Sequence, residues 1–158
     1  MPETADLLIV STRAVAGQKR TLMKVLVADS TALVNEGLTV MLSEIEGISV
    51  FGCVQDRSKV LALVEAVQPD VVLLDLNAPG MAGLKMLVGI KQGYPQTTVI
   101  VLSHYDLPPL RQACLKAGAD YFFEKTSSFN RLREVLLEMV NRRNSPRRRR
   151  KVRGEPGA

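Results

Sequence analysis

The chain predicts an α/β fold: a five-stranded parallel sheet with helices on both faces. Three observations lead there. Apolar runs of strand length recur five times between residues 24 and 124. Each is followed by a stretch in which apolar residues return at helical spacing. Three of the runs, residues 25–28, 71–74 and 99–102, are continuously apolar, as strands covered on both faces are. Strict alternation of such strands with helices builds a parallel sheet between two helical layers. The 158 residues suit one domain, and 46% hydrophobic residues supply its core; with 4% aromatics and no Trp that core is aliphatic.

Each element follows from local signals. Residues 1–23 lack sustained periodicity and are read as a flexible extension in which residues 5–10 offer a short strand or stub. Val25-Leu26-Val27-Ala28 is a buried strand that ends at Asp29. From Thr31 on, Val34, Leu38, Met41, Leu42 and Ile45 fall on one helical face, and Gly47 stops the run. Either Ser30 or Thr31 serves as its N-cap. Residues 48–54 form a second strand. Residues 58–67 form a second helix, ended by Gln68-Pro69. Val71-Val72-Leu73-Leu74 leads into Asp75, with Pro69 before it and Asn77-Ala78-Pro79-Gly80 after it, which rules against a helix. A third helix spans about residues 84–92 and breaks at Gly93-Tyr94-Pro95. Val99-Ile100-Val101-Leu102 is the fourth strand, closed by Ser103. A helix over residues 108–117 ends at Gly118. Tyr121-Phe122-Phe123 is a short fifth strand, followed by Glu124 and Lys125. The last helix runs from Phe129 to about Arg142, with Leu132, Val135, Leu136, Met139 and Val140 on its apolar side.

Charge divides the chain in two. The formal net charge is +5, yet between Lys24 and Asn141 there are 10 basic and 13 acidic residues. The surplus comes from Arg142, Arg143, Arg147, Arg148, Arg149, Arg150, Lys151 and Arg153. This Arg-rich tail, residues 143–158, has no apolar partners and is expected to be disordered in isolation. Such a run binds phosphates electrostatically, so nucleic acid is a partner open only to the tail; a solvated tail is the simpler alternative. Cys53 and Cys114 are too few for a disulfide framework and lack metal-ligand spacing. No apolar run reaches the ~18 residues of a membrane span. Acidic residues, Glu3 and Asp6, precede the short run at 7–10 where a signal peptide carries basic ones. A cytoplasmic location is expected.

Four polar residues close four of the five strands: Asp29, Asp75, Ser103 and Lys125. In a parallel α/β sheet these ends share one edge, the edge where ligands bind. Any one of them alone reads as a turn cap, a loop hydroxyl or a surface ammonium. Together they make a site. Two carboxylates attract a hard, oxygen-seeking cation such as Mg²⁺. Asp75 is then placed to attack phosphorus as a carboxylate nucleophile. Lys125 and the Ser103 hydroxyl hold the remaining phosphoryl oxygens.

From Lys24 to Asn141 the chain resembles the receiver domains of two-component response regulators. The matching motifs are Val-Leu-Val-Ala-Asp29, Val-Val-Leu-Leu-Asp75-Leu-Asn-Ala-Pro-Gly-Met-Ala-Gly, Val-Ile-Val-Leu-Ser103 and Ala-Gly-Ala-Asp-Tyr-Phe-Phe-Glu-Lys125. The resemblance implies a flavodoxin-like fold over residues 24–142 and a phosphorylation-gated switch, not a turnover enzyme beyond its own phosphorylation and dephosphorylation. It implies that Asp75 accepts a phosphoryl group from a histidine kinase or phosphotransfer protein. Asp29, Asp75 and the backbone carbonyl of Asn77 would hold Mg²⁺, and Ser103 and Lys125 would bind the phosphoryl group. Phe122, three residues before Lys125, takes the family's switch-aromatic position. It would report to the face of the fourth helix, fifth strand and fifth helix, a face that also suits a homodimer.

Three positions depart from the family pattern. Ser30 replaces a second acid, so it is a doubtful metal ligand and Mg²⁺ should bind weakly. His104, the only histidine, follows Ser103 where a small residue is usual, and would crowd or contact the phosphoryl group unless it points to solvent. Thr126 replaces the common Pro after Lys125. With only about 15 residues after the last helix, the sequence reads as a stand-alone receiver that signals by contact with a downstream protein. The competing reading is a degenerate receiver, a phosphorylation-independent interaction module. A metal-dependent phosphatase is weaker, because Asn77 stands where a second carboxylate would serve acid–base work.

Overall fold

The computed structural model of the chain describes residues 7–12, 22–29, 32–54, 59–76, 82–125 and 127–144. Its elements run β1 (Leu7–Thr12), β2 (Met23–Asp29), α1 (Ala32–Ser43), β3 (Ile48–Val54), α2 (Val60–Val67), β4 (Val71–Asp75), α3 (Ala82–Gly93), β5 (Thr98–Ser103), α4 (Pro108–Lys116), β6 (Tyr121–Glu124) and α5 (Phe129–Asn144). The sheet order is β1-β3-β2-β4-β5-β6. The strands from β2 to β6 are mutually parallel, the five expected, in a flavodoxin-like order.

Side-chain alternation explains how both faces are filled. Val25, Val27, Val71, Leu73, Ile100 and Leu102 face one way and pack with Leu38, Leu42, Leu132 and Leu136 of α1 and α5. Their neighbours Leu26, Ala28, Val72, Leu74, Val99 and Val101 face the other way, onto Val60, Leu63, Leu87, Ile90 and Cys114 of α2, α3 and α4. Successive strand residues point to opposite faces, so only continuously apolar strands can serve two helical layers. All five residues of β4 are buried. Each fully buried aliphatic side chain contributes about 1.5–3 kcal/mol relative to exposure.

Two acids pin the strand starts. Below, Asp70 gives its N–H to Lys24 O (2.9 Å) and accepts the Thr98 N–H on its own carbonyl (3.0 Å). Its carboxylate accepts the Lys24 N–H (2.9 Å). Asp120 caps the start of β5 in the same way, accepting from Val99 N–H (2.8 Å) and from Lys91 Nζ (3.0 Å). These bonds align the strand starts and so bring the strand ends, where the polar residues stand, to a common level.

Two expectations need correcting. Residues 7–12 are not a flexible extension but the short strand that residues 5–10 offered: they form β1, antiparallel to β3, with Leu7 opposite Cys53 and Thr12 opposite Ser49. The outer backbone groups of β3 otherwise lack a ladder, and an uncharged hexamer, half of it β-branched (Ile9, Val10 and Thr12), satisfies them. A bulge between Ile9 and Ser11 interrupts the pairing. The helical body also runs past residue 142. Arg142, counted with the basic cluster, lies in α5 as expected; Arg143, assigned to the tail, lies there too, and its Nη1 pairs with Asp70 Oδ1 at 3.0 Å. Arg142 lies 3.9 Å from Glu138 one turn back. The other basic positions, Arg147, Arg148, Arg149, Arg150, Lys151 and Arg153, lie outside the described residues. Among the described residues no helix is long and apolar enough to cross a membrane.

Candidate functional site

Asp75 ends β4, the middle strand of the parallel sheet, and is 3% exposed. A carboxylate buried this deeply is costly unless a cation meets it. Lys125 meets it: its Nζ lies 2.6 Å from Asp75 Oδ2, with both side chains almost fully enclosed. Lys125 arrives there because its N–H donates to Ser103 O (2.8 Å), which prolongs the β5–β6 ladder by one residue past Glu124.

Ser103 ends β5 and is buried. Its strand pairs with β4, Leu102 being the partner of Asp75, so the hydroxyl stands one residue beyond the carboxylate on the neighbouring strand. Ser103 Oγ accepts the Tyr105 N–H at 3.1 Å. Leu76 N–H donates to Leu102 O (3.0 Å), so the two strand ends stay together past the last regular pair.

Asp29 ends β2, on the other side of β4. Ala28 and Leu74 are partners in the register, which places the ends of these two strands side by side, about 4.8 Å apart. The crevice between β2 and β4 is where the strand order reverses, the position at which such sheets bind ligands. Ser30 and Asn77 lie outside the described residues. His104 is exposed, on the loop that leaves Ser103. Phe122 is buried against the α2–α4 layer, and the guanidinium carbon of Arg111 lies 5.4 Å from its ring centroid. Arg111 is in turn paired with Asp106 (2.8 Å). Nothing local in the sequence marks this pair, since its meaning depends on a ring eleven residues further on.

The structure thus brings Asp75, Lys125 and Ser103 together at one edge of the sheet and sets Asp29 at the end of the adjacent strand. Among the described residues no group of three or more His, Cys, Asp or Glu side chains assembles a metal site. The donor set nonetheless suits a hard cation, because the two acids ending adjacent strands offer oxygen alone. Burial pushes the Cys114 thiol up, which keeps this core residue of α4 protonated and inert.

Residues 25–137 match the family model of the response regulator receiver domain. The response regulator GacA of Pseudomonas aeruginosa is 30% identical over 118 residues, which cover 75% of this chain and 55% of that protein. The chain spans about half the length of the curated relatives it matches. The signal receiver domain of the response regulator NarL from Mycobacterium tuberculosis superposes with a TM-score of 0.68 at 30% identity, over 77% of this chain and 98% of that one. A CheY-like receiver domain protein from Methanospirillum hungatei gives a TM-score of 0.66 at 24% identity, over 77% and 96%, and speaks to the fold alone.

Proposed function

The chain belongs to the response regulator receiver family, and from that premise we propose that it is a phosphorylation-gated element of two-component signalling in which Asp75 accepts the phosphoryl group. The observation that carries the proposal is the enclosed Asp75–Lys125 pair at the end of the central strand, with Ser103 beside it. A buried acid–ammonium pair adds little net stability, so its place at the ligand edge argues for a chemical role.

The phosphoryl donor is a phosphohistidine on a kinase or phosphotransfer protein. A carboxylate oxygen of Asp75 attacks phosphorus, the P–N bond breaks, and the leaving imidazole nitrogen takes up a proton. The product is an acyl phosphate. Lys125 holds Asp75 in line before transfer and can move its ammonium to a phosphoryl oxygen afterwards. The Ser103 hydroxyl donates to another. Mg²⁺, held by Asp29, Asp75 and the Asn77 carbonyl, would neutralise charge on the phosphoryl group. With Ser30 in place of a second acid its hold should be weak. Phe122 carries the state to the surface of α4, β6 and α5, where a downstream protein or a second copy would dock. The Arg-rich residues 147–153 would add a sequence-indifferent attraction for nucleic acid.

The test is incubation with a small-molecule phosphodonor, with and without Mg²⁺, read by intact mass. A gain of one phosphoryl group that needs Mg²⁺ and is lost in Asp75→Asn supports the proposal. No gain, beside a receiver control that labels, refutes it and favours the phosphorylation-independent module to which Ser30 points.

A further inference from the structure

Phe122 is buried on the α4 side of the sheet, but apolar neighbours are not its only cover. The Arg111 guanidinium lies over the ring at 5.4 Å. Arg111 sits in the first turn of α4, and Asp106 holds it: Asp106 Oδ1 lies 2.8 Å from Nη2 and accepts from Nε at 3.0 Å. Asp106 belongs to the short loop after β5. Its neighbour Tyr105 donates its N–H to Ser103 Oγ. Five groups therefore form one connected path: the Ser103 hydroxyl, the Tyr105 peptide, the Asp106 carboxylate, the Arg111 guanidinium and the Phe122 ring.

The path has the strength of an adjustable link. The Arg111 and Asp106 side chains are 44% and 50% exposed. Ion pairs and cation–π contacts at such positions are weak in water. Contacts of that size hardly affect whether the chain folds. They are enough to move a two-state side chain by a factor of a few.

We infer that Arg111, positioned by Asp106, is a latch that holds Phe122 buried and couples the Ser103 hydroxyl to the ring. The coupling rests on the proposed reading of Ser103 and Phe122. A shift of Ser103 Oγ toward a phosphoryl group on Asp75 strains the Tyr105 N–H bond and moves the loop that carries Asp106. The anchor of Arg111 moves with it, and the cover over Phe122 changes. Arg111 is thus a positioning residue for the switch and touches no reacting atom.

The chain has no Trp, so Phe122→Trp in the full chain provides a single fluorescent reporter of burial at this position. Acrylamide quenching is measured in the reporter alone and with Arg111→Gln, Asp106→Asn, both together, or Arg111→Lys. With the latch cut, the exposed fraction of the ring should rise roughly two- to fivefold, the population factor of one exposed cation–π contact. The two single variants and the double should give the same rise, because they cut one path. Arg111→Lys should fall between the parent and Gln, since the charge remains but the planar fork that Asp106 holds is lost. Unchanged quenching in Arg111→Gln or in Asp106→Asn overturns the latch. The ¹⁹F shift of 4-fluorophenylalanine at position 122 gives the same reading without a larger ring.

A second arm adds a phosphodonor and Mg²⁺ and monitors the mass in parallel. Phosphorylation should change ring exposure in the parent and change it at least twofold less in Arg111→Gln. An equal change in both overturns the coupling. If no phosphoryl group is taken up, the function proposed above fails, and the first arm still decides the latch.

Discussion

Removing one partner of the enclosed pair should be far more damaging than removing both. Lys125→Met keeps the volume of the stem and deletes the ammonium that lies 2.6 Å from Asp75 Oδ2. The carboxylate, 1% exposed in its side chain, is left without its cation. Breaking a buried pair from one side costs about 3–5 kcal/mol. With a urea slope of about 2 kcal/mol per molar, the unfolding midpoint should fall by roughly 2 M. That is a large part of the ~5–15 kcal/mol that holds a domain together. Asp75→Leu with Lys125→Met removes both charges, and replacements of this kind are often neutral or stabilising. The double variant should therefore return to within about 1 kcal/mol of the parent. Equilibrium urea unfolding without Mg²⁺, followed by far-UV circular dichroism, reads all three proteins. The reasoning is refuted if Lys125→Met loses less than about 1 kcal/mol, the level of an exposed pair. A double variant as unstable as the single one would refute it too, because the loss would then belong to packing.

Three further outcomes are expected. Gly47 has φ +91°, and a Cβ there would stand 2.9 Å from Val140 Cγ1; Gly47→Ala should cost about 1–3 kcal/mol. Thermal unfolding should show it as a fall of roughly 2–4 °C per kcal/mol, and an unchanged midpoint would show that the turn relaxes. Removing residues 1–22 strips β1 from β3 and opens a sheet edge; the truncated protein should lose stability and self-associate in light scattering, whereas a stable monomer would mean β1 contributes nothing. Burial raises the Cys114 thiol, so the unfolded chain ionises first and the native state holds the extra proton. That contribution is intact below the ordinary thiol pKa and is lost as pH rises through the folded one, so urea midpoints should decline over that window more steeply than those of Cys114→Ala.

What the sequence discloses and what it conceals differ by physical kind. Residues 71–75 announce both a strand and a site, because a run apolar at every position has one stable place in an α/β fold and its single carboxylate marks the end of that run. The same logic makes Asp29, Ser103 and Lys125 readable without knowing a single contact. β1 is legible only as a possible short strand. Leu7-Leu8-Ile9-Val10 is short, its flanks lack turn signals, and its fate depends on whether the β3 edge forty residues later is open. The place of Arg143 is hidden for a related reason. Its neighbours Arg147 to Arg150 make it look like part of a charge run, and only the folded chain sets it against Asp70, 73 residues earlier. Arg111 and Asp106 show the limit most clearly. Read locally, they are an exposed pair at the start of a helix, worth little. Their consequence comes from what lies on either side of them: a peptide N–H bound to the Ser103 hydroxyl, and the face of an aromatic ring. Periodicity places strands, helices and the residues that end them. Coupling between the site and its surroundings depends on pairs that periodicity cannot bring together. A sequence can therefore single out Asp75 at the end of its strand, while the route from that position to Phe122 has to be read from the fold.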